Sequence, residues 1–394
     1  MRKPALLGGK PAFPEKLRLF RPTMPTADEL RPYIDSIQDS GWQSNFGPIS
    51  RRFEEILADR LRVKHCLTLA NLSSGLMYMP AAAGLDGGEV IVPSFTFLAT
   101  AHSMKLGGLT PVFADINPRT LTLDPASVEA AIGPDTVAIC GVHIFGTPCD
   151  IPALQAISEK HNLVLLFDAA QALGSTHRGA PVGSFGLAEG FSASATKILT
   201  TLGEGGFICT NDDAFADHVR LARNWGQGSD YNPKFASICS KMPEINAAAG
   251  IIEIGRFENY LADRRATAER LIDGLGAIPG IGFPIPHEGD TSAHKELPIL
   301  IDAEAFGINS FLLAEALDTE GIDSRKYFHP CLHRTDVYQD TDGAKRVPLD
   351  CSEWVSSRIL SIPFYTHMDS GDVDRLCAVV GDLHKAVANI RDRA

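Results

Sequence analysis

Short runs of β-branched and other apolar residues recur at Glu89–Pro93 (EVIVP), Thr110–Ala114 (TPVFA), 137–143 (VAICGVH), Val164–Asp168 (VLLFD) and Gly206–Thr210 (GFICT). The stretches between several of them, such as 124–132 and Ile151–His161, have the length and pattern of an amphipathic helix. Strands that run the same way need a crossover of a dozen or more residues, usually a helix. Strands buried on both faces read as continuous apolar runs rather than as alternation. The pattern therefore predicts an α/β fold with a mostly parallel, doubly wound sheet. Over 242–265 (MPEINAAAGIIEIGRFENYLADRR) it becomes one long helix, read as the bridge into a second unit. The expected organisation is an N-terminal segment (1–30), a large domain (31–255) and a smaller C-terminal α+β domain (256–394).

Composition narrows the function classes. A chain of 394 residues with 44% hydrophobic and 21% charged residues is long enough for one large and one smaller domain. A net charge of -12 argues against general affinity for nucleic acid or an anionic membrane, since both need concentrated positive charge. The opening MRKPALLGGKPAFPEK lacks a continuous apolar stretch, and no later run has the length of a membrane helix, so a cytoplasmic protein is expected. The 8 cysteines are scattered without a C-x-x-C pair, which predicts reduced thiols and no metal site.

Two residues carry the chemistry. Asp168 ends an apolar strand and precedes small residues, which puts its carboxylate at the carboxyl edge of the sheet, where open α/β folds bind ligands. Lys197 ends FSASATK and is followed by ILTTLGEGG, a neighbourhood of small and hydroxyl residues with no carboxylate before Glu204. Taken alone, each has a plainer reading, as a turn aspartate and a surface lysine. Together they match what holds pyridoxal phosphate: a carboxylate that keeps the pyridine nitrogen protonated and an amine that joins the aldehyde. A partly desolvated lysine would also have the lowered pKa that an amine nucleophile needs. Ser73 and Ser74, in ANLSSGLM, fall where a helix begins near Gly75; they are either plain caps or donors to a phosphate at the helix N-terminus. Phe97 in PSFTF follows a strand and is either core or a ring that stacks on a cofactor.

These segments, read in order, resemble the DegT/DnrJ/EryC1/StrS family of sugar aminotransferases, pyridoxal-phosphate enzymes of fold type I. The resemblance covers nearly the whole length. It runs through SNFGP (44–48), EVIVPSFTFLATA (89–101), TPVFADINPRTLTLDP (110–125), VHIFGTPCDI (142–151), DAAQALGS (168–175), FSASATKILTTLGEGG (191–206), ARNWG (222–226) and YFHPCLH (327–333).

The resemblance implies roles position by position. Lys197 matches the Schiff-base lysine, Asp168 the partner of the pyridine nitrogen, and Gln171 the residue beside the cofactor's phenolic oxygen. Ser192 matches a phosphate ligand, Phe97 the stacking aromatic, and Ser73 with Ser74 the phosphate-binding turn. A lysine at 197, where some members have histidine and act as dehydratases, favours transamination. Glutamate is the implied donor, a nucleotide-linked keto sugar the implied acceptor, and a homodimer with composite active sites the implied assembly. For the anionic acceptor, Arg325, Lys326 and His333 are candidate contacts, and His143 is a candidate pocket residue; each has a surface or core reading beside it.

Two departures stand out. Leu72-Ser73 replaces a usual Gly-Thr, and SICSKM places Cys239 where a neighbouring subunit usually supplies an Asn; either other groups, with Lys241 the candidate, hold the phosphate, or the segment is shifted. A thiol is a poor replacement for a carboxamide donor. Two other readings stay open: the same fold acting on a cyclitol ketone or another carbonyl compound, and a non-catalytic regulator that binds cofactor or nucleotide sugar.

Overall fold

The computed structural model describes residues 2–392. Helices α1 (Ala27–Ser40) and α2 (Pro48–Leu61) precede strand β1 (His65–Leu69). The large unit continues through α3 (Leu72–Ala82), β2 (Glu89–Pro93), α4 (Leu98–Leu106), β3 (Thr110–Ala114), α5 (Pro125–Ala131), β4 (Thr136–Val142), α6 (Ile151–His161) and β5 (Val164–Asp168). A small hairpin, β6 (Thr176–His177) and β7 (Ala180–Pro181), leads to β8 (Ala188–Ser192), β9 (Gly206–Thr210) and α7 (Asp213–Ala222).

Seven of these strands form one sheet in the order β1-β9-β8-β5-β4-β2-β3. β8, β5, β4, β2 and β3 are mutually parallel, and β9 runs against both of its neighbours. The Gly206–Thr210 run is thus the antiparallel member of a mostly parallel sheet, joined to β8 by the loop 193–205 rather than by a crossover helix. On one face, Leu76 and Met79 of α3, Met104 of α4 and Phe215 of α7 pack on the sheet. On the other, Val128 of α5 and Leu154 of α6 pack against Ile91, Ile139 and Phe167. Both faces are covered, which is why the strands read as continuous apolar runs.

The expected single helix over 242–265 is two: α8 (Glu244–Ile254) and α9 (Phe257–Gly276). Arg256, at φ -104° and ψ -3°, leaves helical geometry right after Gly255, a residue with low helix propensity. The break is tied by ion pairs from Arg256 to Glu253 and Glu29. α9 then spans both units: Phe257 and Leu261 lie in the core beneath α2, and Leu271 and Leu275 in the core of the small unit.

The small unit has the three-stranded sheet β10 (Ile281–Gly282), β11 (Pro298–Ile301) and β12 (Ile359–Ser361), with α10 (Ala303–Phe306), α11 (Ser310–Thr319), α12 (Asp350–Arg358), α13 (Ser370–Lys385) and α14 (Val387–Arg391). The N-terminal segment packs on it rather than standing apart. Phe13 and Leu17 are in its core, and the buried Glu320 carboxylate accepts from the Ala5 and Ala12 N–H groups at 2.7 and 3.0 Å. Among the described residues, no helix is long and apolar enough to cross a membrane, and no group of three or more His, Cys, Asp or Glu is arranged to hold a metal ion.

Candidate active site

The carboxyl ends of β4, β5 and β8 meet at one place, where Asp168 stands in register with Val142 on one side and Gly190 on the other. A cleft of about 440 Å³ opens there. Its wall includes Ser73, Phe97, Asp168, Gln171, Ser192 and Lys197, six residues drawn from four separate segments of the sequence.

Asp168 is 4% exposed. Its Oδ2 accepts from Thr100 Oγ1 at 2.7 Å and its Oδ1 from the Ala170 N–H at 3.0 Å. Burial raises its pKa, while these hydrogen bonds and the Lys197 charge pull it down. No cation forms an ion pair with it among the described residues. A buried carboxylate without a counter-ion is costly, and a protonated ring nitrogen would neutralise it.

Lys197 lies in the loop between β8 and β9, which is closed by the Ala195 N–H donating to Gly203 O at 2.7 Å. Gly203 sits at φ +127°, where a side chain would be strained. Burial is the main cause, and the nearby Lys295 the next, that pulls the Lys197 ammonium from its ordinary 10.5 to about 8. Its amine is therefore largely free base at mildly alkaline pH.

Gln171 accepts from the Phe145 N–H at 2.5 Å through Oε1, which leaves the amide NH2 as the group available to a ligand. Phe97 precedes α4 and is 50% exposed, a flat apolar face on the cleft wall. Ser192 Oγ lies 3.3 Å from Ser194 Oγ, so two hydroxyls stand together beside the lysine loop.

At α3, the cap is Asn71, whose side chain accepts from the Ser74 N–H at 2.9 Å. Ser73 faces the cleft, whereas the Ser74 hydroxyl donates to Asn71 O and pairs with Ser240 Oγ, both within the protein. The Leu72-Ser73 departure has a physical account. Leu72 is the first helical residue, so glycine's conformational freedom is not needed there. The glycine the site does need is Gly206: a Cβ there would come within 2.6 Å of the Leu72 N atom and push the start of α3 off the sheet.

The remaining predicted residues stand elsewhere. His143 is fully buried one layer behind the cleft, stacked on Phe167 at 4.7 Å. The Cys149 N–H donates to its Nδ1 at 2.9 Å, so Nε2 carries the ring proton toward Glu189 at 3.2 Å; it is a hydrogen-bonded core histidine. His333 is buried between Ser94 and Glu353. Lys326 donates to Ser310 Oγ and lies over the Phe311 ring. Arg325 is exposed, and its guanidinium donates to Ser324 O. Cys239 is exposed, and Lys241 is held by Asn45 and Asn224 over the Trp225 ring.

Three residues that sequence reasoning passed over belong to the site. Thr100 fixes Asp168 and lies one helical turn beyond Phe97. Lys295 and Glu296 line the cleft from the small unit. A charged pair one residue ahead of the apolar run PILI was the signal for the second and third.

A buried carboxylate, an amine with lowered pKa, an exposed aromatic face, paired hydroxyls beside the lysine loop and a serine at a helix start can together hold a flat aromatic cation that bears an aldehyde and a phosphate. Comparison with known proteins agrees. Residues 26–381 match the family model described as the DegT/DnrJ/EryC1/StrS aminotransferase family. The chain is 35% identical over 358 residues to GDP-perosamine synthase of Caulobacter vibrioides, covering 89% of this chain and 94% of that one. It is 30% identical over 349 residues to dTDP-4-amino-4,6-dideoxy-D-glucose transaminase of Escherichia coli, with the same coverage of 89% and 94%. Among solved structures, DesI determined in the presence of its TDP-sugar product superposes with a TM-score of 0.93 at 35% identity, covering 99% of this chain and 98% of DesI.

Proposed function

Because this chain belongs to the DegT/DnrJ/EryC1/StrS aminotransferase family, whose members depend on pyridoxal phosphate, we propose that it transfers an amino group from glutamate to the ketone of a nucleotide-linked keto sugar. The observation that carries this reading is the convergence of Asp168 and Lys197 on one cleft, the two groups transamination cannot do without. The names of the relatives direct the choice of acceptor. A TDP-linked 4-keto-6-deoxy sugar is the first to test.

Bound pyridoxal phosphate supplies an aldehyde that carries the amino group between substrates and a ring that accepts electrons. The chain supplies the rest. Asp168, fixed by Thr100 and the Ala170 N–H, presents a buried negative charge that keeps a proton on the ring nitrogen. Gln171 offers its NH2 to the ring oxygen, and Phe97 offers its face to the ring. Ser73 at the start of α3, with Ser192 and Ser194, offers donors to the phosphate, where the helix dipole also favours an anion. Lys197 Nζ would be the amine that binds the aldehyde. As a free amine it would take the proton from the donor's α-carbon and return one to the sugar carbon that gains nitrogen.

We place the protein in the cytoplasm and as a homodimer. The former is supported by eight cysteines that form no disulfide. The latter is supported by Trp225, Tyr231 and Ile238, which are 46%, 86% and 51% exposed on the segment that follows α7. The deciding experiment is the visible spectrum of the purified protein with glutamate, then with a panel of nucleotide-linked keto sugars. Loss of the aldehyde-bound absorbance on adding glutamate, and its return with the correct keto sugar, is the expected result. Lys197→Ala should abolish both changes while circular dichroism stays native. An unchanged spectrum in the wild type would sink the reading, and so would turnover in the variant.

A further inference from the structure

The charged side chains on the cleft wall are Asp168, Lys197, Glu204, Lys295 and Glu296. The first two have roles in the proposed chemistry. Lys295 and Glu296 do not, yet each is only 8% exposed and they are ion-paired to one another. Consecutive residues of an extended strand point to opposite faces, but the chain bends at Lys295 just before β11, and both side chains reach the cleft.

The bend is firmly held. Arg264 donates to His294 O at 2.9 and 2.8 Å and to Lys295 O at 2.7 Å, and the Lys295 N–H donates to Phe145 O at 3.2 Å. Glu296 has a second tie, accepting from Ser361 Oγ at 2.8 Å. The same pair, with Thr196, Lys197 and Tyr327, also lines a smaller cavity beneath 19–23 of the N-terminal segment. A buried ion pair is no more stable than apolar residues of equal volume. Its presence beside the reacting amine therefore asks for a reason other than stability.

An aminotransferase faces a problem of polarity at one amine. It must first accept an amino acid whose reacting carbon carries a carboxylate, and then a sugar whose reacting carbon carries only neutral neighbours. The donor's carboxylate is one bond from the carbon that meets Lys197, whereas a sugar's diphosphate is several bonds away. The cation that reads the carboxylate must therefore lie next to Lys197. On the wall of the larger cleft, among the described residues, that leaves Lys295. Arg21 and Arg264 border only the smaller cavity, and Arg264 spends most of its donors on His294 O, Lys295 O and Thr366 Oγ1.

We propose that Lys295 docks the α-carboxylate of the amino donor and that Glu296 is the resident counter-ion that takes Lys295 back when the neutral sugar ring occupies the site. The proposal rests on the aminotransferase reading above and adds how one pocket serves both substrates. In either state Lys295 faces a carboxylate, so its charge is never left buried and alone. Glu296, when released, keeps the Ser361 hydroxyl.

The test uses the holoenzyme and two unreactive probes, glutarate and dTDP, titrated by calorimetry. Lys295→Met should weaken glutarate binding at least tenfold and leave dTDP binding within twofold of wild type. In the glutamate half-reaction the same variant should raise KM at least tenfold with a smaller change in kcat. Glu296→Gln should leave glutarate binding equal to wild type or tighter. Should Lys295→Met misfold because Glu296 is left unpaired, the double change Lys295→Met with Glu296→Met removes both charges and should show the same loss of glutarate. Wild-type protein that does not bind glutarate, a Lys295→Met that binds it normally, or a loss confined to dTDP would each overturn the proposal. Failure of the aminotransferase reading is seen separately, as no spectral response of the wild type to glutamate.

Discussion

At the scale of single residues, the site depends on two environments that push a carboxyl and an amine away from their ordinary behaviour. Asp168 is held by Thr100 and a backbone N–H in a buried place. Replacing Thr100 with Val keeps the shape and removes a hydrogen bond to a charged group, a contact of roughly 1.5–3 kcal/mol. A roughly ten- to hundredfold fall in kcat is expected together with a lowered melting temperature, and steady-state kinetics beside a thermal melt would check it. An undiminished kcat would mean that the Ala170 N–H alone positions the carboxylate. For Lys197, the folded pKa of about 8 lies below the ordinary 10.5. The unfolded chain therefore holds this proton over a pH range where the folded chain has released it. Lys197 thus costs stability below about pH 8, and the cost is relieved as pH rises toward 10.5. The same shift governs reactivity. Recapture of pyridoxal phosphate by stripped enzyme should quicken with pH and level off above about 8, and a rate still climbing at pH 10 would mean an unperturbed lysine.

At the scale of elements, one helix caps another. Glu244 opens α8, is fully buried, and accepts from the Gly47 N–H at 3.1 Å and the Ile49 N–H at 2.8 Å at the start of α2. Its two oxygens also lie 3.3 Å from the Ser50 N. The first N–H groups of a helix have no partner within it, and α2 lacks a side-chain cap of its own. Glu244→Ala should leave these donors buried and unsatisfied, costing roughly 2–4 kcal/mol, seen as a lowered midpoint in chemical denaturation. An unchanged midpoint would show that water replaces the carboxylate. The break between α8 and α9 is another effect at this scale. Apolar periodicity runs through Gly255 without a gap, and the turn is settled by Arg256 pairing with Glu29 of α1, a residue far away in sequence. No window of local sequence contains that partner.

At the scale of the whole molecule, the exposed Tyr231 and Ile238 should lie between two copies of the chain. Light scattering should return twice the chain mass of 42.4 kDa, and Tyr231→Asp with Ile238→Asp should lower it toward one chain and weaken cofactor retention. A dimer that survives both changes would put its interface elsewhere. The sequence by itself determined what short-range physics can encode. β2, β3, β5, β9 and α6 stand where the apolar runs and helical stretches place them, because periodicity and chain length fix strands and crossovers locally. Lys197, Asp168, Ser192, Ser73 and Phe97 could be picked out as candidates because each sits beside a strand end or helix start that is itself legible, whereas Gln171 was indicated only by the family resemblance. Other contacts were decided by tertiary structure. Thr100 meets Asp168 across 68 positions, and Lys295 with Glu296 reaches the cleft only because the small unit folds back over it. His143 and His333 resemble site residues in their motifs, yet the packed core surrounds them. A motif records which groups are available, whereas the direction a side chain faces is set by neighbours brought together only when the chain closes on itself.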